Sequence, residues 1–374
     1  LGFGLGTNWF EREKRKKVEP MMARVEKLRE LMKENNLQGF LVTSPYNLRY
    51  LTNFTGTTGL AMITLDKAFF VTDFRYTEQA AEQATGFTIV KNTGHIFDEV
   101  ADLAERLQLD NLAFEETQVS FADYSLLEEI LPCELVPVMG LIEELREVKD
   151  EEEVAIIEKA CAIADQGFAF VLEMIKPGMT EIEVANQLDF FMRSKGASGV
   201  SFETIVASGL RSAMPHGVAS HKVIEKGELI TLDFGCYYEG YVSDMTRTFA
   251  IGSIQPKLKE IYDIVLEAQL KVLAEAKPGL TGIQLDAIAR DHIASYGYGD
   301  AFGHSTGHGI GLEIHEGPNV SFRADKQFVP GNVITDEPGI YLPGIGGVRI
   351  EDDLLITAEG NRVLTHAPKE LIIL

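Results

Sequence analysis

The sequence predicts a smaller α/β domain with a mixed sheet over residues 21–145, followed by an α+β domain with an internal pseudo-two-fold repeat over residues 146–374. Three observations predict it. The chain has 374 residues, which suggests about two domains of ~150 residues. Its first part alternates short apolar runs with amphipathic stretches. Its second part contains two kinds of segment that each occur twice, at nearly one spacing.

Residues 1–20 are expected to be an extension outside the fold. Leu1 to Gly6 is too short and glycine-rich for the core of a signal peptide, and it precedes the basic run Arg12 to Lys17 rather than following it. From Met21-Met22 onward the pattern changes. Val25, Leu28, Leu31 and Met32 give a helical stripe, and Gly39 to Thr43 reads as a buried strand stopped by Ser44-Pro45. Ala61–Leu65 and Ala68–Thr72 flank Asp66-Lys67 as a hairpin. Glu78 to Gln83 reads as a helix and Leu112 to Phe114 as a further strand. No glycine-rich phosphate loop opens any of these helices, which argues against nucleotide binding.

The second domain begins with a long helix over residues 150–175, with Val154, Ile157, Ala160, Ile163 and Ala164 on one face. Lys176-Pro177-Gly178-Met179-Thr180 introduces a helix at 181–195, and Lys277-Pro278-Gly279-Leu280-Thr281 introduces another at 282–295. Between them lie a strand at 202–209 running toward Pro215-His216-Gly217, and a helix at 257–276. The second duplicated segment is the run Ile230 to Gly235, matched by Ile334 to Gly339. Thr231 falls on Thr335, Asp233 on Glu337 and, downstream, Asp244 on Glu351. Both duplications have an offset of about one hundred residues, so they read as one structural repeat.

A pseudo-two-fold that unites the halves gathers four carboxylates at one point. Like charges that close must be protonated or hold cations. His308 lies between the halves, in the run Gly303 to Gly311, and adds an imidazole. Carboxylate and imidazole together suit Mn, Co, Fe or Zn.

The formal net charge of −23 argues against nucleic acid and anionic membrane as partners. No stretch is apolar for long enough to span a bilayer. Cys133, Cys161 and Cys236 make neither a metal-binding spacing nor a disulfide framework, which fits a reducing cytoplasm.

On these residues, from about Met22 to the C-terminus, the chain resembles the creatinase/aminopeptidase family of dinuclear metallopeptidases with the pita-bread fold. Within it, the chain is similar to the proline-specific branch, the Xaa-Pro aminopeptidases and Xaa-Pro dipeptidases (prolidases). The resemblance implies the metal ligands Asp233, Asp244, His308, Glu337 and Glu351. It implies two divalent ions per chain, with Mn first and Co, Zn or Fe as alternatives. It places His216 and His315 against the scissile carbonyl and His304 near the substrate. Glu337 is expected to carry the proton from the attacking water to the leaving proline nitrogen. Arg349 precedes Glu351 by two residues and is expected to face, and hold, the carboxylate ligands. The implied substrate is a peptide or dipeptide with proline in second position, and the implied assembly is a homodimer.

Two other readings are compatible with parts of the pattern. A methionine-aminopeptidase-like exopeptidase would share the five ligands, but the N-terminal domain and the run Val348 to Asp352 favour the proline branch. A non-catalytic binding module would be expected to lack ligands. One position departs from the family pattern: Asp336, beside Glu337, where the repeat has Leu232. Strand alternation should turn Asp336 away from the metals into packing.

Overall fold

Helix α1 covers residues 21–34 and buries Met21, Val25, Leu28 and Met32, most of the stripe read from the sequence. The computed structural model describes residues 21–374, so the extension expected at residues 1–20 lies outside the described residues. Contacts divide the chain into one unit ending at Arg146 and a second from Glu147 to Leu374.

In the first unit, β1 (Gly39–Val42) ends at Ser44, whose side chain caps α2 (Pro45–Thr52) by accepting from the Asn47 amide. Pro45 at the helix start costs nothing there, because its missing N–H has no partner in the first turn. β2 (Leu60–Thr64) and β3 (Ala68–Thr72) form the expected hairpin. Next come α3 (Thr77–Gln83), β4 (Thr88–Lys91), α4 (Ile96–Leu107), β5 (Asn111–Glu115), α5 (Phe121–Ile130), β6 (Glu134–Val138) and α6 (Leu141–Arg146). The sheet order is β4-β3-β2-β1-β5-β6. β1 pairs antiparallel with β2 but parallel with β5, so the sheet is mixed, as expected.

In the second unit, α7 (Glu151–Met174) and α8 (Glu181–Ser194) precede β7 (Gly199–Val200), β8 (Ile205–Ser208), β9 (Glu228–Phe234), β10 (Cys236–Tyr238), β11 (Tyr241–Val242) and β12 (Met245–Ile251). Then α9 (Pro256–Glu275) and α10 (Gly282–Ser295) precede β13 (Gly307–Gly309), β14 (Glu316–Val320), β15 (Val333–Asp336), β16 (Gly339–Leu342), β17 (Gly346–Arg349), β18 (Asp352–Ile356) and β19 (Asn361–Val363). The duplicated Lys-Pro-Gly segments end in Thr180 and Thr281, and each threonine is the N-cap of a helix in a capping box, with Glu183 and Gln284 respectively. The repeat in sequence is therefore a repeat in structure. Each half is a helix pair on an antiparallel sheet, ordered β12-β9-β8 in the first and β14-β13-β15-β18-β19 in the second.

Each half has its own core. Phe168, Val171, Leu188 and Met192 pack on Val206, Ile230, Leu232 and Phe249 in the first. Ile261, Val265, Leu285 and Ile293 pack on Ile334, Leu354 and Ile356 in the second. Burying each such side chain contributes roughly 1.5–3 kcal/mol. The halves are joined through polar groups. Arg247 of β12 is buried and pairs with Asp352 of β18 at 2.7 Å, while also donating to the Ala367 carbonyl. Among the described residues no helix is long and apolar enough to cross a membrane.

Asp336 ends β15, pairs in register with Asp352, and is fully buried with neither carboxylate oxygen partnered. Desolvation, then the neighbouring charge of Asp352, holds its pKa well above the usual carboxylate range. The unfolded chain therefore ionises this group at lower pH than the folded chain. Its contribution to stability is fully present below the unfolded pKa and is lost as pH rises toward the folded one. Asp336→Val should stabilise the protein by about 1–3 kcal/mol, the cost of one unpaired buried polar group, and by more at pH 8 than at pH 5. Thermal melts at both pH values check this, and a variant no more stable than the parent at pH 8 would exclude the burial account.

Candidate metal centre and active-site pocket

The repeat positions the acids. Asp233 lies near the end of β9, in register with Thr246 of β12, and Asp244 directly precedes β12. Glu337 directly follows β15 and Glu351 directly precedes β18. Each half thus supplies one acid near a strand end and one just before its antiparallel partner. The apolar run around Glu337 predicts a strand position for it. It sits instead in the two-residue link to β16, with its amide donating to the Thr306 carbonyl at 2.7 Å.

His308 is in the middle of β13. Its amide donates to Thr335 Oγ1 at 3.1 Å. This approach requires glycine next to it, because a Cβ on Gly307 would lie 2.1 Å from the Thr335 carbonyl oxygen. His308 Nδ1 lies 3.1 Å from the Gly309 carbonyl, so it carries the proton and leaves Nε2 as an acceptor. Nε2 is 3.6 Å from Asp244 Oδ2 and 3.5 Å from Glu337 Oε1. Ligand atoms of Asp244, His308 and Glu351 all lie within 4.8 Å of one another.

A cavity of about 550 Å³ opens on this group. Its lining includes all five sequence-predicted ligands, together with His216, His304, His315 and Arg349. The rings of His308 and His315 meet edge-on with centroids 4.4 Å apart. His304 Nε2 is 2.7 Å from the Tyr341 hydroxyl, and its Nδ1 lies 2.8 Å from the Ser305 carbonyl and 3.9 Å from Glu337 Oε2.

The electrostatics fit a cation. Burial, followed by the charges of Glu351 and Asp233, raises Asp244 well above the carboxylate range. Burial, followed by Glu337 and Asp233, does the same to Glu351. Glu337 is pushed up to about 8, chiefly by burial. Burial also lowers His304 and His308 to about 4, which keeps both imidazoles neutral and able to accept. Asp233 Oδ1 is buried without a hydrogen-bond partner. Crowded, desolvated acids, a neutral imidazole and an orphaned carboxylate oxygen form a donor set that a divalent cation would satisfy.

Arg349 reaches the acids by two routes. Its Nη2 donates to Asp233 Oδ2 at 2.6 Å, and its Nε donates at 3.1 Å to Thr246 Oγ1, which donates to Glu351 Oε2 at 2.7 Å. Nη1 donates to the Tyr341 hydroxyl at 2.7 Å. Sequence reasoning missed Thr246 and Tyr341, and also Asp353, whose Oδ2 accepts from the Asp244 amide at 3.0 Å and from Cys161 Sγ at 3.3 Å. It missed Lys149 as well, which pairs at 2.6 Å with Glu316, the residue after His315. The repeat marks the equivalent strand positions Thr231 and Thr335, whereas Thr246 and Tyr341 have no pattern that marks them.

A family model described as metallopeptidase family M24 matches residues 155–358. The model for the creatinase/prolidase N-terminal domain matches residues 24–148. An Xaa-Pro dipeptidase of Pyrococcus furiosus is 42% identical over 361 residues, which are 94% of this chain and 100% of that protein. The solved structure of an Xaa-Pro dipeptidase from Bacillus anthracis is 54% identical with a TM-score of 0.94, covering 95% of this chain and 100% of that one. An X-Pro aminopeptidase structure from Thermotoga maritima is 40% identical with a TM-score of 0.86, covering 90% and 97% respectively. The duplicated sheet-and-helix unit is accordingly the pita-bread fold anticipated from the sequence. With the acids of both halves converging on one histidine, and with these likenesses along nearly the whole chain, the protein belongs to metallopeptidase family M24 and carries a creatinase/prolidase N-terminal domain.

Proposed function

We propose that the protein is an exopeptidase that hydrolyses the bond between an N-terminal residue and a following proline, in peptides or in dipeptides. The observation that carries this reading is the convergence of Asp233, Asp244, Glu337 and Glu351 on the neutral imidazole of His308 in one pocket. The preference for proline is supported by relatives named Xaa-Pro dipeptidase and X-Pro aminopeptidase.

Asp233, Asp244, His308, Glu337 and Glu351 would hold two divalent metal ions, with Mn favoured by the hardness of a carboxylate-rich set. Bound divalent ions supply Lewis acidity and make water a usable nucleophile near neutral pH. The chain's own groups do the rest. Glu337, a carboxylate beside the position of the attacking water, can take its proton and release it to the proline nitrogen. His216 and His315 donate to the carbonyl oxygen as negative charge develops on it. Arg349 and Thr246 fix the carboxylates of Asp233 and Glu351. His304, tied to Tyr341, borders the substrate.

The same reading takes residues 21–145 as the N-terminal domain and 146–374 as the catalytic domain, supported by the extents of the two family matches. It takes the protein as a cytoplasmic homodimer, supported by its cysteine pattern and by the family resemblance.

The test is hydrolysis of Ala-Pro, Ala-Pro-Ala and Met-Ala-Ser by metal-stripped protein, before and after addition of Mn, Co, Zn or Fe. Cleavage of at least one proline substrate after metal addition, with none of Met-Ala-Ser, is the expected result. Preferential cleavage of Met-Ala-Ser would favour the methionine-aminopeptidase-like reading. No cleavage with any metal would leave a binding module.

A further inference from the structure

His216 and His304 sit on loops, and a loop side chain is placed only as well as its backbone is held. In each half of the catalytic unit, a buried carboxylate on the Lys-Pro-Gly-led helix joins an arginine, and the pair grips the backbone on both sides of a pocket histidine.

In the first half the acid is Glu181, the first residue of α8, which is fully buried. Its Oε1 accepts from the Ser208 amide and hydroxyl, both at 2.8 Å. Its Oε2 accepts from the Ser220 amide at 3.1 Å and from the Ser220 hydroxyl at 2.7 Å. Arg211 Nε donates to the same Oε2 at 2.9 Å, and Arg211 Nη2 donates to the Val218 carbonyl at 2.6 Å. These anchor points bracket His216.

In the second half the acid is Asp286 of α10, also buried. Its Oδ1 accepts from the Thr306 amide at 3.0 Å and from the Thr306 hydroxyl at 2.8 Å. Arg290 Nε donates to Asp286 Oδ2 at 2.7 Å. The guanidinium also donates to the Phe302 carbonyl at 3.0 Å and to the His304 carbonyl at 2.8 Å. These anchors surround His304, and the Thr306 carbonyl in turn receives the Glu337 amide.

The two halves reach this arrangement with residues that do not align. In the duplication Glu181 corresponds to Gly282, where a Cβ would lie 2.3 Å from the Asn319 carbonyl oxygen. No acid fits there. Asp286 lies about one helical turn further on, and the arginine comes from the same helix rather than from the loop. The anchoring is thus not a by-product of one local sequence. Nor is stability a sufficient reason for it, because a buried ion pair contributes little net stability over an apolar replacement, whereas it does fix geometry.

We propose that Glu181 with Arg211, and Asp286 with Arg290, are positioning clamps that set His216 and His304 for the reaction. The proposal rests on reading these histidines as substrate-facing. A carboxylate accepts at both oxygens, so Glu181→Gln keeps the shape but turns an NH2 group toward the donors of Ser208, Arg211 or Ser220.

The test is a double-mutant cycle on the metal-loaded enzyme, with metal content measured throughout. Glu181→Gln should lower kcat about tenfold or more at unchanged metal content. In a His216→Ala background it should change kcat by less than about twofold, because residues acting through one another are not additive. In the metal-free protein, the ring resonance that disappears in His216→Ala should shift in Glu181→Gln, while that of His366 stays in place. Equal losses in both backgrounds, or no loss in the parent, would overturn the proposal. If His216→Ala alone keeps full activity, the role given to His216 fails, and the ring shift still decides whether Glu181 positions it. Should Glu181→Gln not fold, Arg211→Met, which removes a partly exposed arm of the clamp, runs through the same cycle.

Discussion

Replacing Asp244 with alanine should lower turnover by at least about 10³-fold, about 4 kcal/mol in the barrier, with metal content falling below two ions per chain. Asp244 joins the halves of the site: it precedes β12 of the first sheet, and its Oδ2 faces His308 of the second at 3.6 Å. Its amide is fixed by Asp353, so the carboxylate has little freedom to be replaced by a neighbour. The same substitution should not weaken the metal-free fold. Burial and the charges of Glu351 and Asp233 hold Asp244 above the carboxylate range, so in the absence of metal this group destabilises the folded state increasingly as pH rises above the unfolded pKa. Metal-free Asp244→Ala should therefore melt no lower than the metal-free parent at pH 8. Metal analysis, kcat and a pair of thermal melts check this. A metal-free variant that melts far below the parent would mean that Asp244 is a structural residue, and the assignment as ligand would fall.

Substituting His315 or His216 by alanine should lower kcat by roughly 10²–10³, the scale of one lost donor to a developing oxyanion. His315 lines the pocket with its ring against that of His308, and burial lowers its pKa, so it stands as a neutral imidazole at physiological pH. It makes no ion pair with the acids, so metal content should persist in the variant. KM should change less than kcat, because a donor used mainly in the transition state contributes little to ground-state binding. Steady-state kinetics with metal analysis separates the cases. A His315→Ala enzyme that loses metal but retains turnover per bound metal would place His315 among the ligands rather than at the carbonyl.

How far the fold and the site are legible in the sequence depends on the range of the signal. The pair of Lys-Pro-Gly segments and the pair of carboxylate strands are local patterns, and a helix cap or a strand end is decided by the few residues around it. The structure accordingly has Thr180 and Thr281 as caps and Asp233 at the end of β9. Asp336 is legible in the same way. Strand alternation along β15 turns it into the packing, and it is buried beside Asp352 with neither carboxylate oxygen hydrogen-bonded.

What the sequence by itself determined is thus the architecture: two domains, the second with a duplicated unit, and five acidic or imidazole side chains that line one pocket. What only the tertiary structure decided is which other groups serve them. Thr246 and Asp353 act through contacts between segments about one hundred residues apart, as does the bond from Arg349 Nη2 to Asp233 Oδ2, whereas Tyr341 reaches Arg349 and His304 from within the second half. Glu181 and Asp286 hold the loops of His216 and His304 from positions that do not align, because the Asn319 carbonyl occupies the space beside Gly282. A hydrogen bond depends on where two atoms finally lie and leaves no period in the chain, so such partners become visible only once the chain is folded.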